Sequence, residues 1–300
     1  MKRILVIKLG ALGDFVLAFG PFAAIRAHHP ASRITLLTTR PFADLATAAP
    51  WFDAVAVDER PAWWDVPQLL RLRRALQGHD MVYDLQTSGR SGLYHRLAGR
   101  PAWSGIAAGS SHPHANPARD AMHTLERQRE QLAMAGIGAF PEPDTSWLAA
   151  DAPIALAGPY ALIAPGAAPR RPEKRWPAER FAALAGLLAQ RNQRSVVIGS
   201  AQDGALAATI TAAVPSAIDL TGQTTLRQLA AVAAGACLAV GNDTGPMHLA
   251  AALGTPCVVL FSAASDPALA RPRGRVTVLA EPRLSDLPVQ RVAEALPPVH

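Results

Sequence analysis

The sequence predicts an α/β protein of two Rossmann-like, doubly wound domains, residues 1–150 and 151–300, facing a central cleft. Three observations lead there. Short β-rich runs alternate with longer helical patterns, the signature of βαβ units and a parallel sheet buried on both faces. The alternation lapses once, in the proline- and alanine-rich stretch 137–159, and then resumes. Half of the residues are hydrophobic and 17% are charged, so the chain can build cores and is not disordered.

Taken in order, "RILVIKL" (3–9) reads as the first strand and 15–29 as the helix after it. Strands at 33–39, 52–58 and 80–86 continue the first half. Beyond the linker, strands are expected at 160–166, 195–200, 217–222, 237–243, 256–262 and 276–280. Helices at about 178–191, 203–213, 225–235, 245–253 and 285–295 separate them. Doubly wound domains bind ligands outside the carboxyl ends of their strands, so the residues just after each strand are the candidates.

Composition narrows the chemistry. A formal charge of +6 and a pI near 10.0 point to anionic partners. There is no long basic run and no aromatic stacking platform, so nucleic acid is not expected. Lysine occurs only as Lys2, Lys8 and Lys174, which draws attention to places where a compact ammonium is kept in an arginine-rich chain. Cys237 and Cys257 sit in apolar runs and read as buried residues in a reducing compartment, neither a zinc site nor a disulfide framework. The N-terminus imitates a signal peptide, but Lys8 and Asp14 interrupt it, and no apolar stretch reaches ~18 residues. A cytoplasmic protein is expected.

Four stretches follow strands and carry polar chemistry. In "IKLGALGD" (7–14), Gly10 and Gly13 make a tight turn and Asp14 opens a helix, as a cap or as a carboxylate able to take a proton. The G-x-G-x-x-G fingerprint fails here. "APGAAPRRPEKRWP" (164–177) gathers Arg170, Arg171, Lys174 and Arg175, which suit a diphosphate; Pro177 can begin a helix and Trp176 can pack beneath the loop. "GSAQD" (199–203) and "TGQTTLRQLA" (221–230) are turns of ordinary capping type. In "GNDTGPMHLAAALGTP" (241–256), Asp243 reads as the cap and Pro246 suits the first turn. Gly245 lets the backbone approach a ligand, and the free N–H groups of the helix start form an anion site.

This last stretch resembles the D-T-G-x-x-H signature of glycosyltransferase family 9, the ADP-heptose:lipopolysaccharide heptosyltransferases. "IKLGALGD" is similar to that family's N-terminal loop and "KRWP" to its basic loop, in the same order. The resemblance implies the GT-B architecture, with the acceptor on the first domain and the nucleotide sugar on the second. It further implies Asp14 as catalytic base, Lys174 on the donor's phosphate and sugar, and Asp243 on sugar hydroxyls. The N–H groups of Thr244 and Gly245 would receive the diphosphate, and His248 would support that loop or the phosphate. Asp203 and 221–226 would lie near the nucleoside, with Arg170 and Arg171 adding positive charge. The chain departs from the pattern where the family often has hydroxyl residues before the basic loop: it has Ala167 and Ala168.

The implied reaction is an inverting transfer of heptose from ADP-heptose to a lipopolysaccharide core acceptor, with no cofactor and no metal. No Asp-x-Asp triplet is present, nor the glutamate pair of many retaining GT-B enzymes. On the acceptor side the candidates are Lys8, Gly13, Arg90, Arg96 and Arg119. The last three belong to a basic stretch, 90–129, that suits phosphate, carboxylate or the anionic inner face of the inner membrane. A nicotinamide-dependent oxidoreductase is opposed by strand 2, which ends in "TTR" without an acid for a ribose. The remaining alternatives are a family member with another sugar or acceptor, and a non-catalytic nucleotide-sugar binding protein.

Overall fold

Twelve strands, most of them runs rich in Val, Ile and Leu, form in the computed structural model, which describes residues 1–150 and 154–297. The first half holds β1 (Arg3–Ile7), β2 (Arg33–Thr38), β3 (Ala54–Val57), β4 (Met81–Asp84), β5 (Ala102–Gly105) and β6 (His112–Pro113). Its helices are α1 (Leu12–Val16), α2 (Phe19–His28), α3 (Arg40–Ala48), α4 (Val66–Leu76), α5 (Gly89–Leu97) and α6 (Thr124–Met134). The second half holds β7 (Tyr160–Ala164), β8 (Arg194–Val197), β9 (Ile218–Asp219), β10 (Leu238–Asn242), β11 (Cys257–Phe261) and β12 (Val276–Ala280). Its helices are α7 (Ala178–Gln190), α8 (Gly204–Ala213), α9 (Leu226–Ala234), α10 (Gly245–Ala252), α11 (Pro267–Ala270) and α12 (Val289–Glu294).

The chain divides into two compact units, Met1–Trp147 and Leu148–His300. The boundary expected at 150/151 adjoins 151–153, which lie outside the described residues. Each unit has one all-parallel sheet, ordered β3-β2-β1-β4-β5-β6 in the first and β12-β11-β10-β7-β8-β9 in the second. Counted from its own first strand, each follows the order 3-2-1-4-5-6 or its mirror listing, and the direction of winding reverses beside that first strand. The switch points are β1/β4 and β7/β10. At both, the central strands are buried along nearly their whole length, as a sheet covered on both faces requires. One core packs Leu5, Ile7, Leu72, Tyr94 and Trp103. The other packs Ile163, Trp176, Phe181, Val240 and Leu260.

Several expectations need correction. The helix expected over 15–29 is two helices, because Pro21 has no N–H for the Leu17 carbonyl and ends the ladder there. Strand 217–222 shrinks to two residues, since Asp219 turns the chain by accepting from the N–H and hydroxyl of Thr221. The last helix starts at Val289 rather than 285, behind Pro288. Cys237 is exposed just before β10, while Cys257 is buried and its thiol is pushed up to about 12 by desolvation. Inside 90–129 lie β5 and β6, which the sequence does not signal: "AWSG" has neither β-branched residues nor alternation.

Candidate active site

The second unit builds its site at the β7/β10 switch point. Gly241 has no room for a side chain: an added Cβ would lie 2.6 Å from Ala164 Cβ and 2.7 Å from Met247 Sδ. Glycine there lets α10 dock close to the sheet. Asn242, fully buried, ties the β7 loop to β10. Its Nδ2 donates to Pro165 O at 2.8 Å, and its Oδ1 accepts from Trp176 N at 3.0 Å. Trp176 is anchored in turn, with Nε1 donating to Leu287 O at 2.9 Å. The loop between them is thereby held at both ends.

That clamp delivers Lys174 to Asp243. Lys174 Nζ donates to Asp243 Oδ2 at 2.7 Å, and the two side chains are only 17% and 8% exposed. His248 Nε2 lies 4.0 Å from Asp243 Oδ1. Asp243 is therefore not the helix cap: Thr244 is the N-cap, its Oγ1 donating to Asn242 O, and no side chain caps α10. With Lys174 both partners are charged, whereas a cap would meet only a backbone N–H, so the carboxylate goes to the ammonium. Gly245 and Pro246 open the helix, whose first N–H groups have no intrahelical acceptor. The arrangement puts a shielded ammonium and a helix start beside one carboxylate, and that suits a ligand with both phosphate and hydroxyl groups.

The remaining basic-loop residues differ in commitment. Arg170 is exposed, Arg171 Nη1 donates to Ala264 O at 2.8 Å, and Arg175 Nη2 donates to Ala167 O at 3.0 Å. Asp203 is buried and accepts from the N–H and hydroxyl of Ser200 through Oδ2. Its carboxyl lies against Gly166, where an added Cβ would be 2.6 Å from Oδ1. Asp203 thus packs the β8 turn onto the β7 loop at the same sheet end.

In the first unit the switch point carries charge inside the protein. Lys8 is 3% exposed and donates from Nζ to Leu85 O at 3.1 Å. Burial lowers its pKa, against the opposing pull of Asp14 and Asp84. Asp84, at the end of β4, is fully buried and accepts from the N–H groups of Gln86 and Thr87 through Oδ1. Desolvation pushes its carboxyl up to about 6. Burial also lowers Arg127, an effect increased by Arg119 and opposed by Asp14. Asp14 therefore lies in the field of a buried ammonium, Lys8, and a half-buried guanidinium, Arg127.

Asp14 does not cap α1. The N-cap is Ala11, without a side-chain hydrogen bond, and Asp14 is the third helical residue, where it meets the positive end of the helix. Gly13 lies inside α1, so the tight turn rests on Gly10 alone. Gly10 has φ +122°, and an added Cβ would lie 2.6 Å from Phe42 Cε2. A cavity of about 420 Å³ is lined by Ser88, Gly92, Arg96, Arg100 and Ala107. A second, of about 610 Å³, opens over the ends of β1, β2 and β3 between Leu9, Thr39, Arg40, Glu59 and Arg60.

The acceptor-side arginines do not converge. Arg90 donates to Tyr94 Oη at 2.6 Å and Pro61 O at 2.8 Å. Arg96 faces the smaller of these cavities, and Arg119 pairs with Asp120 at 2.7 Å. Sequence reasoning missed Asp84, Asn242, Arg40 and Arg60. The first two had only their place at strand ends to mark them. Among the described residues, no group of three or more His, Cys, Asp or Glu could hold a metal ion, and no helix is long and apolar enough to cross a membrane.

Comparison with known proteins bears on the family and the fold. Residues 69–288, well over half of the chain, match the family model "Glycosyltransferase family 9 (heptosyltransferase)". Lipopolysaccharide heptosyltransferase 2 of Salmonella typhimurium is 26% identical over 291 residues, covering 88% of this chain and 83% of its own. A solved Escherichia coli heptosyltransferase with ADP superposes with a TM-score of 0.81 at 25% identity, over 97% of this chain and 98% of that one. The E. coli enzyme with ADP-2-deoxy-2-fluoro heptose gives 0.78 at 25% identity, over the same shares. The fold is GT-B, and the chain is a glycosyltransferase that belongs to glycosyltransferase family 9.

Proposed function

We propose that this enzyme transfers a heptose from ADP-heptose to an inner-core acceptor of lipopolysaccharide, by inversion and without a metal, at the cytoplasmic face of the inner membrane. The carrying observation is the shielded Lys174–Asp243 pair, with His248 beside it, at the β7/β10 switch point. The related enzymes crystallised with ADP and an ADP-heptose analogue support the donor assignment. In this reading the second unit holds the donor. Lys174 meets phosphate and sugar, Asp243 takes sugar hydroxyls, and the N–H groups of Thr244 and Gly245 receive the diphosphate. His248 steadies Asp243, Arg170 and Arg171 add positive charge at the loop, and Asp203 shapes the turn near the nucleoside.

The first unit holds the acceptor, beside Lys8, Gly13 and the arginines of 90–129. An acceptor hydroxyl attacks the anomeric carbon as the bond from that carbon to the diphosphate oxygen breaks. Asp14 takes the hydroxyl proton, and ADP leaves with the electron pair toward Lys174 and the helix start. Attack opposite the leaving group inverts the anomeric centre. The test is a thermal-shift panel of ADP, UDP and GDP, with and without EDTA, followed by a heptose-transfer assay. ADP should stabilise most, with or without EDTA, and transfer should follow. Equal shifts for all three nucleotides would reject the donor assignment, and an EDTA-sensitive ADP shift would reject metal independence. The alanines at 167 and 168 make a different nucleotide the informative alternative.

A further inference from the structure

Helix α4 and the turn before it show apolar surface where nothing covers it. Four of the exposed large hydrophobic residues fall within 63–70: Trp63 at 46% exposure, Trp64 at 85%, Val66 at 59% and Leu70 at 47%. The helix buries Leu72 and Leu76 on one face. Val66, Leu70 and Arg74 follow one another at i, i+4 and i+8 and so share another stripe. The helix thus has a second, partly apolar stripe turned to solvent.

Charge follows the same surface. Arg71, Arg73 and Arg74 are exposed, and none forms an ion pair among the described residues. The only acid between Arg60 and Gly78 is Asp65, whose side chain is occupied as the α4 cap, accepting from Gln68 N at 3.2 Å. Trp63 is steadied by Arg90, whose guanidinium lies 4.9 Å from its ring centroid. Trp64 projects without such support. Exposed tryptophans beside an amphipathic helix with unpaired arginines match the interface of an anionic bilayer, where indoles sit at headgroup level and arginines meet lipid phosphates.

We infer that residues 63–74 are a peripheral docking surface for an anionic lipid bilayer. The surface lies outside the basic stretch 90–129 expected from sequence, and its arginines face solvent whereas Arg90 and Arg119 are engaged within the protein. The inference rests on the proposed placement at the inner membrane face and names the surface that would make it. The surface's action needs neither donor nor acceptor, so vesicle binding and sugar transfer can each fail without the other. A second protein copy is the competing occupant, but the concentration of unpaired positive charge would repel an identical face.

The test is co-sedimentation of the full chain with vesicles of phosphatidylglycerol and phosphatidylcholine, against pure phosphatidylcholine, with tryptophan emission recorded alongside. Binding is expected only to the anionic vesicles, with a blue shift and loss at high salt. Each of Arg71→Gln, Arg73→Gln and Arg74→Gln should weaken partitioning roughly fivefold. Trp64→Ser with Leu70→Ser should abolish the blue shift while the melting temperature stays put, since both side chains already meet water. Equal binding to neutral vesicles, unchanged binding by these variants, or a dimer formed through this face in place of vesicle binding would each overturn the inference.

Discussion

Asp84 and Asn242 occupy equivalent places in two sheets of the same order. Each ends the strand beside its sheet's first strand, each is fully buried, and each acts on the first residue after that strand. Asn242 donates to Pro165, after β7; Asp84 acts electrostatically on Lys8, after β1. The amide is neutral and has both a donor and an acceptor bond, so its own hold on the loop does not change with pH. The carboxylate and ammonium of the first unit are each driven by burial toward their neutral forms. One switch point ties its loop with a neutral amide and the other buries an acid and an ammonium, the contrast expected if the second unit clamps the donor and the first carries the acid–base chemistry proposed above.

The sharpest way to break that contrast is at Asp14. As general base it should contribute about 10²–10⁴-fold to rate, so Asp14→Asn should lose transfer while melting temperature and ADP affinity hold. Because Asp14 caps nothing, Asp14→Ala should lose no cap; it should lose about 0.3–1 kcal/mol of interaction with the helix dipole together with its attraction to Lys8 and Arg127. An active Asn variant would end the general-base assignment.

Asn242→Ala probes the fixed side. It leaves the Pro165 carbonyl and the Trp176 N–H buried without the amide, and should cost about 2–4 kcal/mol in urea unfolding. ADP affinity should fall with it, since the loop carrying Lys174 loosens. If Asn242→Ala stays stable and keeps full affinity, Trp176 holds the loop alone.

Asp84→Asn probes the movable side. The folded-state pKa, about 6, lies above the ordinary 3.8, so the native state favours the protonated acid. Its contribution is complete below the ordinary value and is lost as pH rises through about 6. The amide escapes that loss. Relative to wild type, Asp84→Asn should therefore gain on the order of 2–3 kcal/mol between about pH 4 and pH 7. Denaturant curves at several pH values would show it, and a gap that does not change with pH would remove the titrating carboxyl from the account.

The mildest expected effect is at Lys174. Lys174→Ala should weaken ADP binding about 10–100-fold, the worth of a charge-assisted hydrogen bond. Arginine should restore it only in part, because a planar fork does not replace a compact ammonium beside Asp243. Calorimetry that finds unchanged affinity would return Lys174 to a structural partner of Asp243.

The two candidate sites were unequally legible. The second unit's site lies in two short contiguous stretches, so Lys174, Asp243 and His248 stand out by local spacing alone. Even there, Asp243 looked like a cap, because its partner lies 69 positions away and only the fold brings it in. The first unit's site is assembled across strands: Lys8 meets Leu85 from 77 residues away, and Leu9 meets Gln86 from the same distance. Arginines 90, 96 and 119 looked like one patch because they are near in sequence, yet their helix faces and pairings send them apart.

By itself the sequence determined the α/β class, most of the strands and the family. These are written in periodicity and in residues that must be neighbours along the chain. Tertiary structure alone decided the order of the strands, the burial of Asp84 and Lys8, and the partner that took Asp243 from its helix. A parallel sheet joins residues through long crossovers, and burial, which sets charge, comes from those distant neighbours.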